Sequence, residues 1–298
     1  MSTRTAPAEP SVEADTVYRR PPLLVGYTYR PEKAYQARDD DRLLAIRLET
    51  NHNCNLRCRY CYAGSGSEAS AVADYATLLD RVAQARDLGT ESIVVIGGGE
   101  PTIHPHFRRL IDAIHGMGMV PVVFSNCLVM DADLAAFLRD RDASVMTKLD
   151  SLRPDRQDYL AGLNGSAERM RRGIDNLLAA GFDRPDAPGR LRIGASFVSC
   201  RMNLDEVEEI WRFCRDRNIF PNMEVLTPTG RANDSLADQG LRTEEIQHYK
   251  SRLLELDRER YGYDWLPYTP LAGSGCLQHL YSLYITLAGD VRPCAPTK

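Results

Sequence analysis

The sequence has no run of apolar residues long enough to cross a bilayer. Its opening stretch, MSTRTAPAEPSVEADT, lacks the apolar core of a secretory signal. Together these absences lead to the expectation of a cytoplasmic protein with no membrane partner. Excess charge of one sign is also missing. The 37 Lys and Arg against 41 Asp and Glu leave a net charge of -4, so electrostatics gives no reason to expect a nucleic-acid partner. The local basic group Arg169, Arg171 and Arg172 reads as a solvated helix face. No internal repeat is present. In a reducing cell interior the eight cysteines do not read as a disulfide framework. Metal binding or catalysis remains for those that cluster.

What is present is ordinary globular composition, 43% hydrophobic and 26% charged. The length suits one large domain, alone or with a small appendage. Residues 1–41 form an N-terminal extension whose first part is expected to be disordered, while VYRRPPLLVGYTYRPEKAYQ has enough Tyr and Leu to pack on a domain surface. A rhythm then begins. Strands are expected at 43–50, 92–98, 119–126, 144–151, 191–199 and 222–228. Between them, helices are expected at 73–89, 104–118, 131–142, 166–181 and 203–218. Strand–helix alternation implies right-handed crossovers and a parallel sheet. Six units suit either a curved, partly open barrel or a doubly wound sheet, and both carry their chemistry at the carboxyl ends of the strands. The core is expected to span 42–235. A C-terminal extension, 236–298, holds a helix around 243–259 and a hairpin in LYSLYITLAGDVRPC turning at Gly289 and Asp290.

The first strand runs into NHNCNLRCRYCYAG, where Cys54, Cys58 and Cys61 stand in the spacing C-x3-C-x2-C. Thiolates are soft ligands suited to iron–sulfur clusters. Three protein ligands on a four-iron cubane leave one iron open to an exogenous molecule. A tetrahedral zinc site would need a fourth ligand, with His52 or His279 as candidates; three incidental buried thiols are the other alternative. After the second strand comes GGGEP (97–101), whose glycines permit close backbone approach and whose Glu100 adds an acceptor. A strand-to-helix turn with a capping carboxylate is the structural alternative there.

The cysteine spacing, with the aromatic Tyr60 before the last cysteine, resembles the radical S-adenosylmethionine (SAM) superfamily over roughly residues 43–230. The architecture that follows is α/β, a partial (β/α)6 TIM-like barrel with a small C-terminal β-hairpin extension. The resemblance implies a 4Fe-4S cluster held by Cys54, Cys58 and Cys61, with SAM chelated at the open iron. It implies reductive cleavage of SAM and hydrogen abstraction by a 5′-deoxyadenosyl radical. Gly98, Gly99 and Glu100 correspond to the motif that meets the SAM amino group, and Tyr60 is implied to lie against the adenine. Ser125 and Asn126 occupy the family's turn after the third strand, with Cys127 replacing its glycine. Lys148 and Asp150 stand where relatives contact the ribose, or form an ion pair at the rim. Arg172, or Arg171, is a candidate for the SAM carboxylate. Glu224 and Arg231 are expected near the barrel mouth, with Glu224, Lys148 and Asp150 the candidate catalytic groups. Cys200 and Cys214 read as structural.

Cys276 and Cys294 bracket the terminal hairpin and resemble the first two ligands of the auxiliary cluster in SPASM or twitch extensions. Because Lys298 follows soon after, the auxiliary site is expected to be completed by sequence beyond this chain, or to be degenerate. The implied function is modification of a peptide or other natural product by oxidation, crosslinking or epimerisation. The short stretch before the first strand leaves little room for a peptide-binding domain, which weakens the peptide alternative. A sugar, aminoglycoside or nucleoside substrate for a dehydrogenase, epimerase or decarboxylase is the rival. An electron-transfer protein that does not cleave SAM is the alternative from another class. An electron donor such as flavodoxin or ferredoxin would be needed by the enzyme.

Overall fold

The computed structural model describes residues 18–66, 71–265 and 277–295. The chain enters through a short strand, β1 (Leu23–Leu24), and a helix, α1 (Pro31–Asp39). The strands that follow are β2 (Ala45–Leu48), β3 (Ser92–Val95), β4 (Val120–Ser125), β5 (Ser144–Lys148), the two-residue β6 (Arg190–Leu191), β7 (Ile193–Ser199) and β8 (Phe220–Val225). In the main sheet the order is β2-β3-β4-β5-β7-β8 and each neighbouring pair is parallel. Across these six strands chain order is never reversed, as in a partial barrel and not in a doubly wound sheet. The partial barrel remains.

Five of the expected helices form close to their predicted positions: α2 (Tyr75–Asp87), α3 (Phe107–Gly116), α4 (Ala132–Arg139), α6 (Ser166–Ala179) and α7 (Val207–Arg215). A sixth, α5 (Pro154–Ala161), precedes α6 and is absent from the sequence reading. In α3 the buried residues are Phe107, Leu110, Ile111 and Ile114, one stripe at helical spacing. Asp131 caps α4 by accepting from Leu134 N–H at 2.8 Å, a contact worth about 1 kcal/mol.

Alternation in the strands sorts the core into two layers. Ile46, Leu48, Ile93, Val95, Val123 and Val145 face outward into the helices. Ala45, Val94, Val122 and Met146 face inward, where Leu24 and Tyr27 of the N-terminal arm complete a second cluster. Ser92 Oγ, at the start of β3, donates to Gly26 O at 2.6 Å, so the arm crosses the N-terminal end of the barrel. That leaves the interior facing the carboxyl ends of the strands.

Beyond β8 come the short α8 (Ala232–Ser235), the longer α9 (Thr243–Leu256) and α10 (Gln278–Tyr281). The expected hairpin is present as β9 (Ser282–Ile285) and β10 (Val291–Arg292), antiparallel to each other. Thr286 N–H donates to Asp290 O at 2.9 Å, and Gly289 takes φ 98° between them. β9 also pairs in parallel with β2, Ala45 opposite Ser282, and so extends the barrel sheet.

Candidate functional site

The carboxyl ends of the strands surround a cavity of about 250 Å3, and Cys54, Cys58 and Cys61 all line it. Their loop is anchored from three directions. First, Gly99 N–H and Glu100 N–H donate to Asn51 O and Asn53 O, each at 2.7 Å. The approach is so close that a Cβ on Gly99 would lie 1.8 Å from the Asn53 carbonyl oxygen. Glycine here is demanded by the protein's own loop, not only by a ligand. Second, Arg57 N–H and Arg59 N–H donate to Ala161 O and Leu160 O at the end of α5, at 3.1 and 2.9 Å. Third, the Arg231 guanidinium donates to Cys58 O at 2.9 Å and Ser65 O at 2.7 Å, while its backbone N–H donates to Cys61 O at 3.0 Å.

Glu100 is buried, and its carboxylate is heavily used. Oε1 accepts from Thr102 N–H (3.2 Å), Thr102 Oγ (2.6 Å) and Ser125 Oγ (2.8 Å); Oε2 accepts from Asn126 N–H at 2.8 Å. The capping role is therefore real, since Glu100 caps the 3-10 turn Pro101–Ile103. Burial drives its carboxyl above the usual range, although the Asn126, Thr102 and Ser125 hydrogen bonds pull it back. Gly98, Gly99, Ser125 and Asn126 line the cavity. Asn126 Nδ2 reaches Asn55 Oδ1 at 2.7 Å, joining the end of β4 to the cysteine loop. Cys127 takes φ 61°, the left-handed conformation that glycine favours, and is 1% exposed. It is a packed small side chain.

Across the cavity, Lys148 Nζ lies 3.3 Å from Asp150 Oδ1. Asp150 is fully buried; it also accepts from Tyr60 Oη at 2.5 Å and Val198 N–H at 2.9 Å. The rim ion pair is thus present, and the Asp150 oxygens are committed to protein donors. Tyr60 turns its hydroxyl to Asp150 and its ring toward Lys148, 4.9 Å from the ammonium. Burial alone would depress the Lys148 pKa, but the negative groups Asp150 and Glu224 outweigh it and the net movement is upward. Glu224 lines the cavity, its Oε1 accepting from Ser196 Oγ (3.1 Å) and Asn222 Nδ2 (3.0 Å).

The structure does not bring either arginine of the SAM-carboxylate expectation to the cavity. Arg172 lies on the exposed face of α6 and pairs with Glu168 at 2.6 Å; Arg171 stacks on Phe213 at 5.1 Å. Neither lines the cavity, because the inner face of α6 is taken by Met170, Gly173, Ile174 and Leu177. Cys200 and Cys214 are buried, as expected. Cys294 lines the cavity, whereas Cys276 lies outside the described residues. The sequence reading missed Arg47, an inward cation at the cavity wall. It also missed Glu49, which accepts from Tyr284 Oη on β9 at 2.5 Å. The signal available was charge at alternate positions of LLAIRLET.

The three thiols lining one cavity are soft donors of the kind an iron–sulfur cluster takes. Burial pushes the Cys54 thiol up to about 11 and the Cys58 thiol up to about 12. Such thiols become thiolates when a bound metal supplies the opposing charge. Among the described residues no helix is long and apolar enough to cross a membrane.

Several known proteins resemble this chain. The mycofactocin maturase MftC of Mycobacterium tuberculosis is 29% identical over 251 residues, which cover 80% of this chain and 59% of that protein. A probable GTP 3',8-cyclase of Methanothermobacter thermautotrophicus is 22% identical over 278 residues, covering 87% of this chain and 86% of that protein. The chain thus spans about three-fifths of the length of the maturase. Among solved structures, Streptococcus suis SuiB bound to S-adenosylmethionine superposes with TM-score 0.68 at 15% identity, over 87% of this chain and 63% of that one. The family model described as the Radical SAM superfamily matches residues 48–214, more than half of the sequence. The chain belongs to the radical SAM superfamily, whose members use a 4Fe-4S cluster and SAM.

Proposed function

We propose that this chain forms the catalytic core of a radical SAM enzyme that modifies a peptide. The observation carrying the reading is that Cys54, Cys58 and Cys61 line one cavity together with the GGGE turn and the inward groups Lys148 and Glu224. When bound, the cluster supplies the electron that cleaves SAM to a 5′-deoxyadenosyl radical. The protein's part is to bind, orient and exclude water. Cys54, Cys58 and Cys61 hold the cluster. Gly98, Gly99, Ser125 and Asn126 form the SAM-facing turns, braced by Glu100. Tyr60 and Asp150 position Lys148, which faces the cavity with Glu224 where substrate would enter. Cys294, on the same cavity, serves an auxiliary cluster shared with Cys276. Electrons come from a flavodoxin or ferredoxin.

Peptide modification is favoured by the relatives. MftC is named a maturase, and SuiB has been crystallised with its precursor peptide SuiA. A nucleotide substrate is the second reading, supported by the cyclase that this chain matches over most of its length. The test is anaerobic reconstitution followed by reduction in the presence of SAM. Wild type should release 5′-deoxyadenosine, and Cys54→Ala/Cys58→Ala/Cys61→Ala should not. Release by the triple variant would refute the assignment. Faster release with a nucleoside triphosphate than with any peptide would favour the second reading.

A further inference from the structure

Among the charges turned into the cavity, Arg47 stands apart. It lies within β2 on the inward side of the strand and is 7% exposed. Its contact among the described residues is the Tyr27 ring, whose centroid is 6.0 Å from the guanidinium carbon; no hydrogen bond or ion pair accompanies it. The neighbouring charges are satisfied. Lys148 has Asp150, Arg231 has two carbonyls of the cysteine loop, and Glu49 has Tyr284 Oη and the Leu287 N–H. A guanidinium cannot lose its proton to escape burial. Holding it out of water with no partner is unfavourable, and a Leu or Met of similar volume would be more stable. The walls beside it are apolar and aromatic, from Tyr27, Ile96 and Phe124.

A planar fork of donors recognises carboxylate or phosphate by paired hydrogen bonds. A phosphate dianion would meet Arg47, the cation without an acceptor among the described residues, and the Glu224 carboxylate on the same cavity, whereas a carboxylate brings one charge to match one. We infer that Arg47 binds a carboxylate of the substrate, with Ile96, Phe124 and Tyr27 packing against the apolar group beside it. This inference rests on the peptide reading above; in a peptide the carboxylate is the C-terminus or an Asp or Glu side chain.

The test uses the full chain and four probes: N-acetyl-phenylalanine, its amide, N-acetyl-aspartate α-amide and phenyl phosphate. Binding is followed by saturation-transfer NMR. Wild type should bind a carboxylate about tenfold more tightly than the amide, and Arg47→Gln should erase that preference. Preference for N-acetyl-phenylalanine assigns a C-terminal carboxylate, and preference for N-acetyl-aspartate α-amide a side chain. Arg47→Met should unfold at higher urea than wild type, since it removes an unpaired buried charge; a structural arginine would destabilise instead. The inference is overturned if wild type does not discriminate, if Arg47→Gln still does, if phenyl phosphate is preferred, or if Arg47→Met is less stable. A tenfold loss of SAM affinity in reconstituted Arg47→Gln would also overturn it, by assigning Arg47 to the SAM carboxylate. If carboxylate discrimination persists but no peptide stimulates 5′-deoxyadenosine release, the peptide reading fails and the anion site stands.

Discussion

Replacing Asp150 by Ala tests whether the Lys148–Asp150 pair is part of the cavity's frame. Asp150 is 0% exposed and accepts from Tyr60 Oη, Val198 N–H and Lys148 Nζ. Its removal leaves a mostly buried ammonium without its counter-charge, a loss of about 3–5 kcal/mol. It also orphans the Val198 N–H, worth about 1–3 kcal/mol, although the two losses overlap. The expected cost is therefore about 3–6 kcal/mol, read as a shift of the urea-unfolding curve of the full chain. Lys148→Met in the same chain removes the stranded cation, so the double variant should recover at least about 2 kcal/mol relative to Asp150→Ala. The sign of the pH dependence follows from the pair. Burial lowers the Lys148 pKa, but Asp150 and Glu224 lift it above its ordinary value of 10.5. The contribution is then fully present below pH 10.5 and is lost only as pH rises through the lifted value. A cost below about 1 kcal/mol, the worth of an exposed pair, would refute the reasoning. So would a double variant no more stable than Asp150→Ala.

The remaining predictions concern the loop, the excluded arginine and the outer helix. Gly99→Ala drives a Cβ to 1.8 Å from the Asn53 oxygen, so reconstituted protein should hold far less iron per chain; wild-type iron content would show that the loop yields cheaply. Arg172→Ala should leave SAM affinity unchanged and stability within about 0.5 kcal/mol, because the side chain is exposed and among the described residues pairs only with Glu168; weakened SAM binding would restore the original expectation. Glu245 is held down to about 2 by the Arg242 backbone N–H and the Arg201 guanidinium. A depressed carboxyl contributes above its ordinary value and loses that contribution as pH falls toward 2. The gap in urea midpoint between wild type and Glu245→Gln should therefore close as pH falls from 4.5 to 2, and a constant gap would contradict it.

What the sequence made legible was periodicity and punctuation. The α3 stripe, the Asp131 cap and the Gly289 turn are local, and each was readable from a few adjacent residues. α5 was missed because PDRQDYLA shows no apolar stripe; its Leu160 and Ala161 carbonyls matter only through the cysteine loop they hold. Arg172 was misplaced for a related reason: it lies on the exposed face of α6, away from the cavity. A run of arginines on a helix does not say which face the sheet covers, and in α6 the buried stripe passes through Met170, Gly173, Ile174 and Leu177. The interior of the barrel obeys a stricter rule. Ile46 and Leu48 of β2 lie under helices, so Ala45, Arg47 and Glu49 must point inward. The same alternation turns Lys148 on β5, Ser196 on β7 and Glu224 on β8 toward that space. Charges at every second position of a strand whose other residues are packed under helices cannot be a solvated edge. They face the cavity, and Arg47, which has no acceptor among the described residues, is where the proposed ligand carboxylate would supply the missing charge.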